Sequence, residues 1–341
     1  MFGVNVTDYD KKVWEEELCD FLPGRIIDCH VHLYREEMQR WASEDRKGCV
    51  MWPHMVAPDL QIDDLWQSYS QMFPGKKVGA VVMGMPSCRL DEVNRYTLDC
   101  AKRDSLPALY CTNWDTTKDE IRAAMKAGFV GIKPYLNNSP SYIPANEVRI
   151  FDFLTREHLE VMNELSGIIM LHIPRNLRLR DPLNLVQMME IEEKYPRAKV
   201  IIAHIGRAYA EEDIGDAFEV LKNTRNMMFD FTANTLTAAM SACINAVGTD
   251  RLMFGSDMPI TKMRMYRIVE NGKYINVVPR GAYGDVSDDP HMRETDEKDI
   301  TTFMYEELRS FKKCVAELSL TKDDVEKVMY LNASRLFDYK L

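Results

Sequence analysis

Eight short apolar runs, separated by helical or irregular stretches, constrain the fold of this chain more than any other feature. The runs are mostly apolar and rich in β-branched residues, which is typical of strands that are buried on both faces of a parallel sheet. They cover residues 25–29, 78–83, 108–111, 129–133, 168–172, 200–204, 227–231 and 251–255.

Helical patterns fill most of the gaps between these runs. They are predicted at residues 90–104, 117–127, 151–165, 183–194, 210–223 and 235–247. No linker rich in proline, glycine or serine divides the 341 residues. The alternation of strand and helix therefore predicts an α/β fold, a (β/α)8 TIM barrel that forms a single domain over residues 1–341, with residues 1–24 as an N-terminal extension.

Two intervals are too long for this rhythm. Residues 34–77 follow the first strand and residues 260–300, which look irregular and polar, follow the eighth. Both leave the ends of strands at which barrel active sites lie. We expect both long connections to cover the mouth of the barrel as a lid or pocket wall, with Trp52 or Trp66 closing one side. A small inserted subdomain is the alternative interpretation.

Charge and hydropathy exclude several classes of protein. The net charge of -10 argues against a nucleic-acid binder, because such a chain cannot neutralise a phosphate backbone. The N-terminus predicts no secretory signal, and the apolar runs are too short to span a membrane. The eight cysteines form no CxxC pair, which favours reduced thiols. These features predict a cytoplasmic enzyme for a small-molecule substrate, and they leave a homo-oligomer open.

Four histidines and one aspartate stand at strand ends. His30 and His32 end the first run, and residues two apart on a strand point to the same face. His172 ends the fifth run, His204 ends the sixth, and Asp257 follows the eighth. A pair of histidines alone is as compatible with a structural role as with metal binding. The whole set at one end of a barrel supplies the donors that a divalent metal requires, so it predicts a metal site.

The order of these motifs resembles a known family. Asp28–His32, then His172 and His204, then Gly255–Pro259, resemble the amidohydrolase superfamily, in particular the amidohydrolase-2 branch that includes aminocarboxymuconate semialdehyde decarboxylase. The segment Tyr330–Phe337 is similar to the last helix of that branch. The resemblance extends from about residue 25 to the C-terminus, and it implies a distorted (β/α)8 barrel.

The resemblance also implies roles for the strand-end residues. His30, His32, His172 and Asp257 would bind one divalent metal, at about 2.0–2.2 Å for zinc. Zinc is expected and manganese is the alternative. His204 would orient or polarise the reacting group. A bound metal activates water, and Asp257 would take the proton of that water and pass it to the leaving group.

Lys133 ends the fourth strand, where binuclear members of the superfamily carry a carboxylated lysine between two metals. A carboxylated Lys133 would allow a second metal, served by His172 and His204. In the branch that this chain resembles one metal is usual, and Lys133 would then bind a carboxylate or carbonyl of the substrate, which we favour. A lysine that extends from a strand end to solvent is the third interpretation.

Other strand-end residues are candidates for binding substrate. Arg175 and Arg207 follow the histidines of the fifth and sixth strands and suit bidentate binding of a carboxylate, with a solvated or structural arginine as the alternative. Tyr135 is expected to line the pocket. Equivalent strand-end positions, from which a side chain could also line the pocket, are held by Asn113, Trp114 and Asn234. The remaining histidines do not stand at strand ends: His54, His158 and His291. His158 is predicted to face solvent.

The residues and the resemblance together predict a metal-dependent hydrolase, in which metal-activated water attacks a lactone, amide or ester bond of a small carboxylated substrate. A metal-dependent decarboxylase, a carbon–carbon lyase, would use the same ligands and is the first alternative. Release of carbon dioxide would distinguish the two. A catalytically silent, ligand-binding barrel is the second alternative, and the complete set of metal ligands argues against it.

Overall fold

A computed structural model describes residues 4–40 and 57–341 of the chain. In this part, eight parallel strands form one sheet in the order in which they follow each other along the chain. The strands are β1 (Arg25–Leu33), β2 (Lys77–Gly84), β3 (Ala108–Thr112), β4 (Gly131–Pro134), β5 (Ile168–Leu171), β6 (Lys199–Ile202), β7 (Met228–Asp230) and β8 (Leu252–Met253). With helices between the strands, this order confirms the predicted α/β fold, a (β/α)8 TIM barrel.

The barrel closes between β8 and β1 through a few backbone hydrogen bonds. The N–H of Cys29 donates to the carbonyl of Phe254 at 3.0 Å, and the N–H of His32 donates to that of Met258 at 2.9 Å. Strand β1 also shifts its register against β2 within residues 28–31. The barrel is therefore distorted beside β1, the strand that carries the two neighbouring histidines.

Helices surround the barrel and follow the expected rhythm. They are α1 (Asp8–Val13), α2 (Ile62–Met72), α3 (Leu90–Asp104), α4 (Lys118–Ala127), α5 (Arg156–Leu165), α6 (Pro182–Lys194), α7 (Glu211–Ile214), α8 (Ala217–Leu221), α9 (Thr237–Val247), α10 (Phe303–Glu317), α11 (Lys322–Glu326) and α12 (Asn332–Phe337). Helices α3, α4, α6 and α9 lie within two residues of their predicted bounds.

Two of the predicted helices are wrong in part. The helix predicted for residues 151–165 begins at Arg156, because the hydroxyl of Thr155 caps it by accepting the N–H of His158. The helix predicted for residues 210–223 is divided at Gly215, whose φ of 48° lies in the left-handed region that a right-handed helix excludes. Both predictions missed a local terminator inside an otherwise helical pattern.

The N-terminal extension is attached to the barrel by polar and aromatic contacts. Asp10 on α1 accepts from the guanidinium of Arg264 at 3.0 Å and from the hydroxyl of Thr301 at 2.6 Å. The ring of Trp14 stacks on that of Tyr305, with centroids 6.2 Å apart. The extension therefore supports the segment after β8 and the start of α10.

The connection after β1 contains α2, which contacts β1 through the hydroxyl of Tyr69, a donor to Asp28 at 2.7 Å, and contacts α3 through Trp66. The indole N–H of Trp66 donates to Asp104 at 2.6 Å. The expectation that Trp66 closes the pocket is wrong, because its partner lies at the end of an outer helix and its side chain does not reach the barrel mouth. Trp52 lies outside the described residues.

The connection after β8 was expected to be irregular, and it instead forms a small sheet. Its strands are β9 (Tyr266–Glu270), β10 (Lys273–Pro279) and β11 (Met292–Thr295). Strands β9 and β10 form an antiparallel hairpin across Asn271–Gly272, whose φ angles of 49° and 71° are both positive. Met265, Val278 and Met292 pack with Phe303. The alternative interpretation, a small inserted unit, fits this connection, which we call the inserted sheet.

Two smaller observations concern the environment of the chain. Within residues 4–40 and 57–341, no helix is long and apolar enough to cross a membrane. The seven cysteines in the same ranges are all free thiols.

Candidate metal centre and substrate pocket

Strand β1 presents two buried imidazoles to the interior of the barrel. The rings of His30 and His32 have centroids 5.2 Å apart. The Nδ1 of His30 lies 3.1 Å from a carboxylate oxygen of Asp230, and that of His32 lies 2.9 Å from the carbonyl of Gly84. Carbonyl and carboxylate oxygens only accept, so Nδ1 carries the proton in both rings. Each Nε2 is therefore left with a lone pair for a ligand.

The loop after β8 places a carboxylate beside these imidazoles. The N–H of Asp257 donates to the carbonyl of His30 at 2.8 Å, and Asp28 accepts the N–H of Ser256 at 2.8 Å. Gly255 permits this approach, because a Cβ at this position would lie 2.8 Å from the Cβ of His30. The loop is therefore fixed to β1 by its backbone. Because Asp28 is fully buried, its pKa is raised to about 6.

His30, His32 and Asp257 form a cluster whose donor atoms lie within 4.8 Å of one another. Oδ1 of Asp257 is 3.2 Å from Nε2 of His32 and 3.6 Å from Nε2 of His30. Two lone pairs and a carboxylate repel each other unless a proton or a cation lies between them. Two imidazoles and one carboxylate are a common donor set for a divalent metal, so these residues fit a metal ion.

The charges of this cluster suit metal binding. Burial, assisted by the ammonium of Lys133, holds the pKa of His30 well below its usual range. Burial favours a raised pKa for Asp257, but a proton on Nε2 of His32, which would bond to this carboxylate, and the nearby imidazoles of His204 and His30 lower that pKa to about 2. A neutral imidazole and an ionised carboxylate are the states in which these side chains bind metals.

Lys133 lies inside the same cluster and is only 1% exposed. Its Nζ is 3.0 Å from Nε2 of His30, so its ammonium donates to the lone pair that a metal would use. Burial lowers the pKa of Lys133, while Asp230 and Asp257 oppose this effect. The amine is thus placed to contact a metal-bound substrate or, once carboxylated, a metal.

His172 and His204 lie at the same end of the barrel, outside the compact cluster. The ring of His204 is 5.1 Å from that of His30 and 5.2 Å from that of His172. Nδ1 of His204 lies 2.8 Å from the carbonyl of Thr232, which leaves Nε2 of the neutral ring as an acceptor. Nδ1 of His172 is buried and has no hydrogen-bond partner among the described residues. The structure thus brings all four predicted histidines together, and three of the four predicted ligands into one cluster.

These side chains line a cavity of about 250 Å³. We call one part of it the floor, which consists of His30, His32, Lys133, His172, His204 and Asp257. We call another part the wall, which consists of Tyr209, Arg267, Tyr274, Asn276, His291 and Phe303. Tyr135 and Arg207 also line the cavity. Tyr135 lies against His172, with ring centroids 4.9 Å apart, and Arg207 donates to the carbonyl of Arg175 at 3.2 Å.

Other expected pocket residues lie elsewhere. Arg175 does not line the cavity: its φ is 66°, and its Nε donates to Asp181 at 2.9 Å, at the start of α6. Asn234 binds the carbonyl of Ala208 at 2.9 Å instead of facing the cavity. Neither Asn113 nor Trp114 lines it either. For two of these residues the backbone provides the cause: the φ of Arg175 is itself positive, and Asn234 follows Ala233, whose φ is 49°.

His158, predicted to face solvent, is buried. Its Nε2 lies 2.8 Å from the carbonyl of Thr116, on the loop before α4. The prediction is wrong because neighbouring glutamates were taken to mark an exposed face, whereas His158 lies on the inner face of α5 beside Leu159 and Met162. His54 lies outside the described residues.

Sequence reasoning missed the residue behind the floor and the individual residues of the wall. It did predict a pocket wall from residues 260–300, and four residues of the wall lie in that range: Arg267, Tyr274, Asn276 and His291. Asp230 was part of a predicted apolar strand, where a buried carboxylate requires partners, and this signal was available. Arg267 and Asn276 are directly paired across the β9–β10 hairpin. The Asn271–Gly272 dipeptide is a strong hairpin signal, and it would have predicted that pairing. For Tyr209 we find no signal in the sequence.

Comparisons with known proteins identify a family and a shared fold. The model of the amidohydrolase-2 family, described as amidohydrolase, matches residues 27–339. A comparison with curated protein sequences finds no match. Among solved structures, a probable 2-pyrone-4,6-dicarboxylic acid hydrolase from Acinetobacter baumannii, crystallised with citric acid, is 17% identical with a TM-score of 0.57, over 92% of this chain and 99% of that one.

Two further solved structures share the fold. An amidohydrolase from Burkholderia multivorans with bound zinc is 13% identical with a TM-score of 0.61, over 92% of this chain and 99% of that one. A 2,6-dihydroxybenzoate decarboxylase in complex with 2,6-dihydroxybenzoate is 13% identical with a TM-score of 0.57, over 93% of this chain and 100% of that one. At these low sequence identities, the structural similarity shows that the proteins share the barrel fold.

Proposed function

Because the chain belongs to the amidohydrolase-2 family, we propose that it is a metal-dependent hydrolase of a lactone, amide or ester bond in a small carboxylated substrate. The observation that carries the proposal is the composition of the floor. There, imidazole lone pairs and one carboxylate converge in a cavity that Lys133 and Arg207 also line. Hydrolysis of these bonds requires a held water, a proton acceptor and a polarised carbonyl, which such a floor supplies.

His30, His32 and Asp257 would hold the metal, and His172, whose Nδ1 has no partner among the described residues, is the fourth ligand that we propose. A bound divalent metal lowers the pKa of coordinated water towards neutrality and polarises the bond under attack. We expect one zinc ion, and the zinc-containing neighbour supports this choice. Manganese suits the same donors, and a carboxylated Lys133 would provide for a second metal.

Two residues move protons in this proposal. Asp257 accepts a proton from the attacking water and passes it to the leaving group. His204 was expected to polarise the carbonyl, but its Nδ1–H is held by the carbonyl of Thr232. Its neutral ring therefore has no N–H to offer the substrate. We assign to His204 a share in the transfer of that same proton: its Nε2 can receive from Asp257 the proton taken from water, and the resulting Nε2–H would stabilise the developing negative charge until the proton passes to the leaving group.

Lys133, Arg207 and Tyr135 bind the substrate in this proposal. Lys133 provides an ammonium within the floor, and Arg207 provides a guanidinium in the same cavity. Both favour a substrate that carries a carboxylate close to the bond that is broken. Tyr135 provides a ring next to His172.

The aromatic wall favours one second candidate, the decarboxylation of an aromatic acid. Tyr209, Tyr274 and Phe303 give the cavity an aromatic lining that suits a flat, aromatic substrate. The neighbour that binds 2,6-dihydroxybenzoate has the same fold. In this reaction a floor residue would protonate the carbon that loses carbon dioxide.

The test is to incubate metal-loaded protein with carboxylated aryl lactones, amides and esters, and with the matching acids, while measuring hydrolysis products and carbon dioxide. We expect hydrolysis without carbon dioxide release, lost on chelation and restored by zinc or manganese. Asp257→Asn should lower kcat by about 10²–10⁴. The matched control Asp288→Asn removes an exposed carboxylate and should retain activity.

Two outcomes would replace the proposal. Carbon dioxide release from an acid, without hydrolysis of any ester, amide or lactone, would identify a decarboxylase. A protein that binds no metal when purified with excess zinc or manganese, and that turns over no compound, would indicate a ligand-binding barrel.

A further inference from the structure

Arg267 on β9 brings a cation from the inserted sheet into the cavity. Its guanidinium carbon lies 4.7 Å from the ring centroid of Tyr274, and 4.8 Å from those of Tyr209 and Phe303. Three aromatic rings therefore fix the position of this charge. Because Arg267 lines the cavity, the charge is available to a ligand.

The hydrogen bonds of Arg267 leave its charge without a counter-ion. Nε donates to the amide oxygen of Asn276 at 2.9 Å, and one terminal nitrogen donates to the carbonyl of Ala233 at 3.1 Å. Both acceptors are neutral. Among the described residues, no carboxylate forms an ion pair with Arg267, and its other terminal nitrogen has no hydrogen-bond partner. Arg175 and Arg178 differ, because each pairs with an aspartate.

Two acidic side chains of this region, Asp289 and Glu307, form no ion pair with Arg267. Asp289 lines the same cavity, and one oxygen of its carboxylate accepts the N–H of His291 at 2.8 Å. Glu307 accepts the N–H of Ala233 at 2.7 Å, and burial raises its pKa well above the usual range, which disfavours its charged form. A partly buried guanidinium without an anionic partner is costly unless a ligand supplies the anion.

We propose that Arg267, held by Asn276 and the rings of the wall, is a second carboxylate subsite that selects substrates with an acidic group remote from the reacting bond. The ring of Tyr209 separates this subsite from the floor: it lies 6.4 Å from the ring of His204 and 4.8 Å from the guanidinium of Arg267. The inference deepens the proposed function, on which it rests for the carboxylated substrate. It specifies a planar dicarboxylate, with one acid at Lys133 and Arg207 and the other at Arg267.

The experiment compares two probes of the same shape, isophthalate and its monoamide 3-carbamoylbenzoate, by calorimetric titration of metal-loaded protein at fixed ionic strength. The probes differ only in the charge of the second group. The wild type should bind isophthalate about tenfold more tightly, which is the effect of one charged hydrogen-bonded contact. Arg267→Gln should reduce this ratio to within about twofold of one.

Two further variants separate binding from folding. Asn276→Asp keeps the arginine and the rings but places a carboxylate beside Nε, so it should abolish the preference without loss of Tm. Arg280→Gln is the matched control, because it removes an exposed arginine from the end of β10 and should retain the tenfold ratio. If Arg267→Gln does not fold, Asn276→Asp decides.

Three results would overturn the subsite. The first is a wild type that binds both probes equally well, and the second is a tenfold preference for isophthalate that survives in Arg267→Gln or Asn276→Asp. The third is a variant that loses affinity for both probes equally, so that the ratio of the two affinities is unchanged. The last result would assign Arg267 to the packing of the wall alone. The ratio is measured without turnover, so a protein that prefers isophthalate but hydrolyses nothing would refute the proposed hydrolysis and leave the subsite standing.

Discussion

The floor and the wall of the cavity hold their polar groups by different means. On the floor, His30 and His32 are fixed by acceptors on other strands of the barrel, namely the carboxylate of Asp230 on β7 and the carbonyl of Gly84 on β2. On the wall, Arg267 is held by aromatic faces and a side-chain amide on the inserted sheet. Strands of a barrel fix a side chain firmly, whereas an inserted hairpin changes without disturbing the barrel. We infer that the floor determines the chemistry and the wall determines which substrate is accepted.

The strongest test of this difference between floor and wall is a variant of the residue behind the floor, which leaves every proposed metal ligand in place. Asp230→Asn removes the anion that holds Nδ1–H of His30 and should weaken metal binding about 10- to 100-fold, as loss of such partners does. Competition with a fluorescent chelator measures this affinity. Asp288→Asn, which changes an exposed carboxylate between β10 and β11, is the control and should not change the affinity. Unchanged metal affinity in Asp230→Asn would mean that the floor is not a metal site built on these strands.

The pH dependence of stability tests the region where floor and wall meet. Burial raises the pKa of Glu307 well above 4.5. Between the unfolded and folded pKa values the native state binds the extra proton, so this group's stabilising contribution is complete below about pH 4.5 and is lost as the pH rises. Glu307→Gln should therefore gain stability relative to the wild type as the pH rises from 5 to 8, with a limiting slope of about 1.4 kcal/mol per pH unit.

Thermal unfolding of both proteins across this range measures the difference. Glu317→Gln, an exposed glutamate on the same helix, should show no such trend. A constant difference in Tm between Glu307→Gln and the wild type would show that Glu307 is ionised in the native protein, and its charge would then offset that of Arg267.

A wall variant should have a smaller effect, mainly on binding. Tyr209→Leu removes the ring between His204 and Arg267 and should raise KM about fivefold, equivalent to about 1 kcal/mol of ring contacts, with a lesser change in kcat. Tyr142→Leu is the control, because that ring is 81% exposed. Steady-state kinetics on the substrate found in the hydrolysis screen provides both constants. A large fall in kcat at constant KM would place Tyr209 with the floor instead.

The same contrast explains what the sequence could predict. The positions of His30, His32 and Asp257 follow from local patterns, because a spacing of two on a strand and a place at a strand end fix where a side chain points. The wall depends on the pairing of Arg267 with Asn276 across a hairpin, and on its packing over the barrel mouth.

Arg175 shows the limit of reasoning from a strand end. Its place after the fifth strand predicted a pocket residue, but its backbone turns into the left-handed region and directs the side chain to Asp181. A single positive φ reverses such a prediction, and only glycine marks these positions clearly in a sequence.

The central claim is that the floor holds one divalent metal on His30, His32 and Asp257. It is tested most directly by the metal content per chain of the wild type, His32→Ala and Lys133→Ala, purified with excess zinc and measured by elemental analysis. We predict one equivalent in the wild type, almost none in His32→Ala, and one in Lys133→Ala, with a raised KM in that last variant. A full equivalent retained in His32→Ala, or two equivalents in the wild type that fall to one or none in Lys133→Ala, would contradict the account.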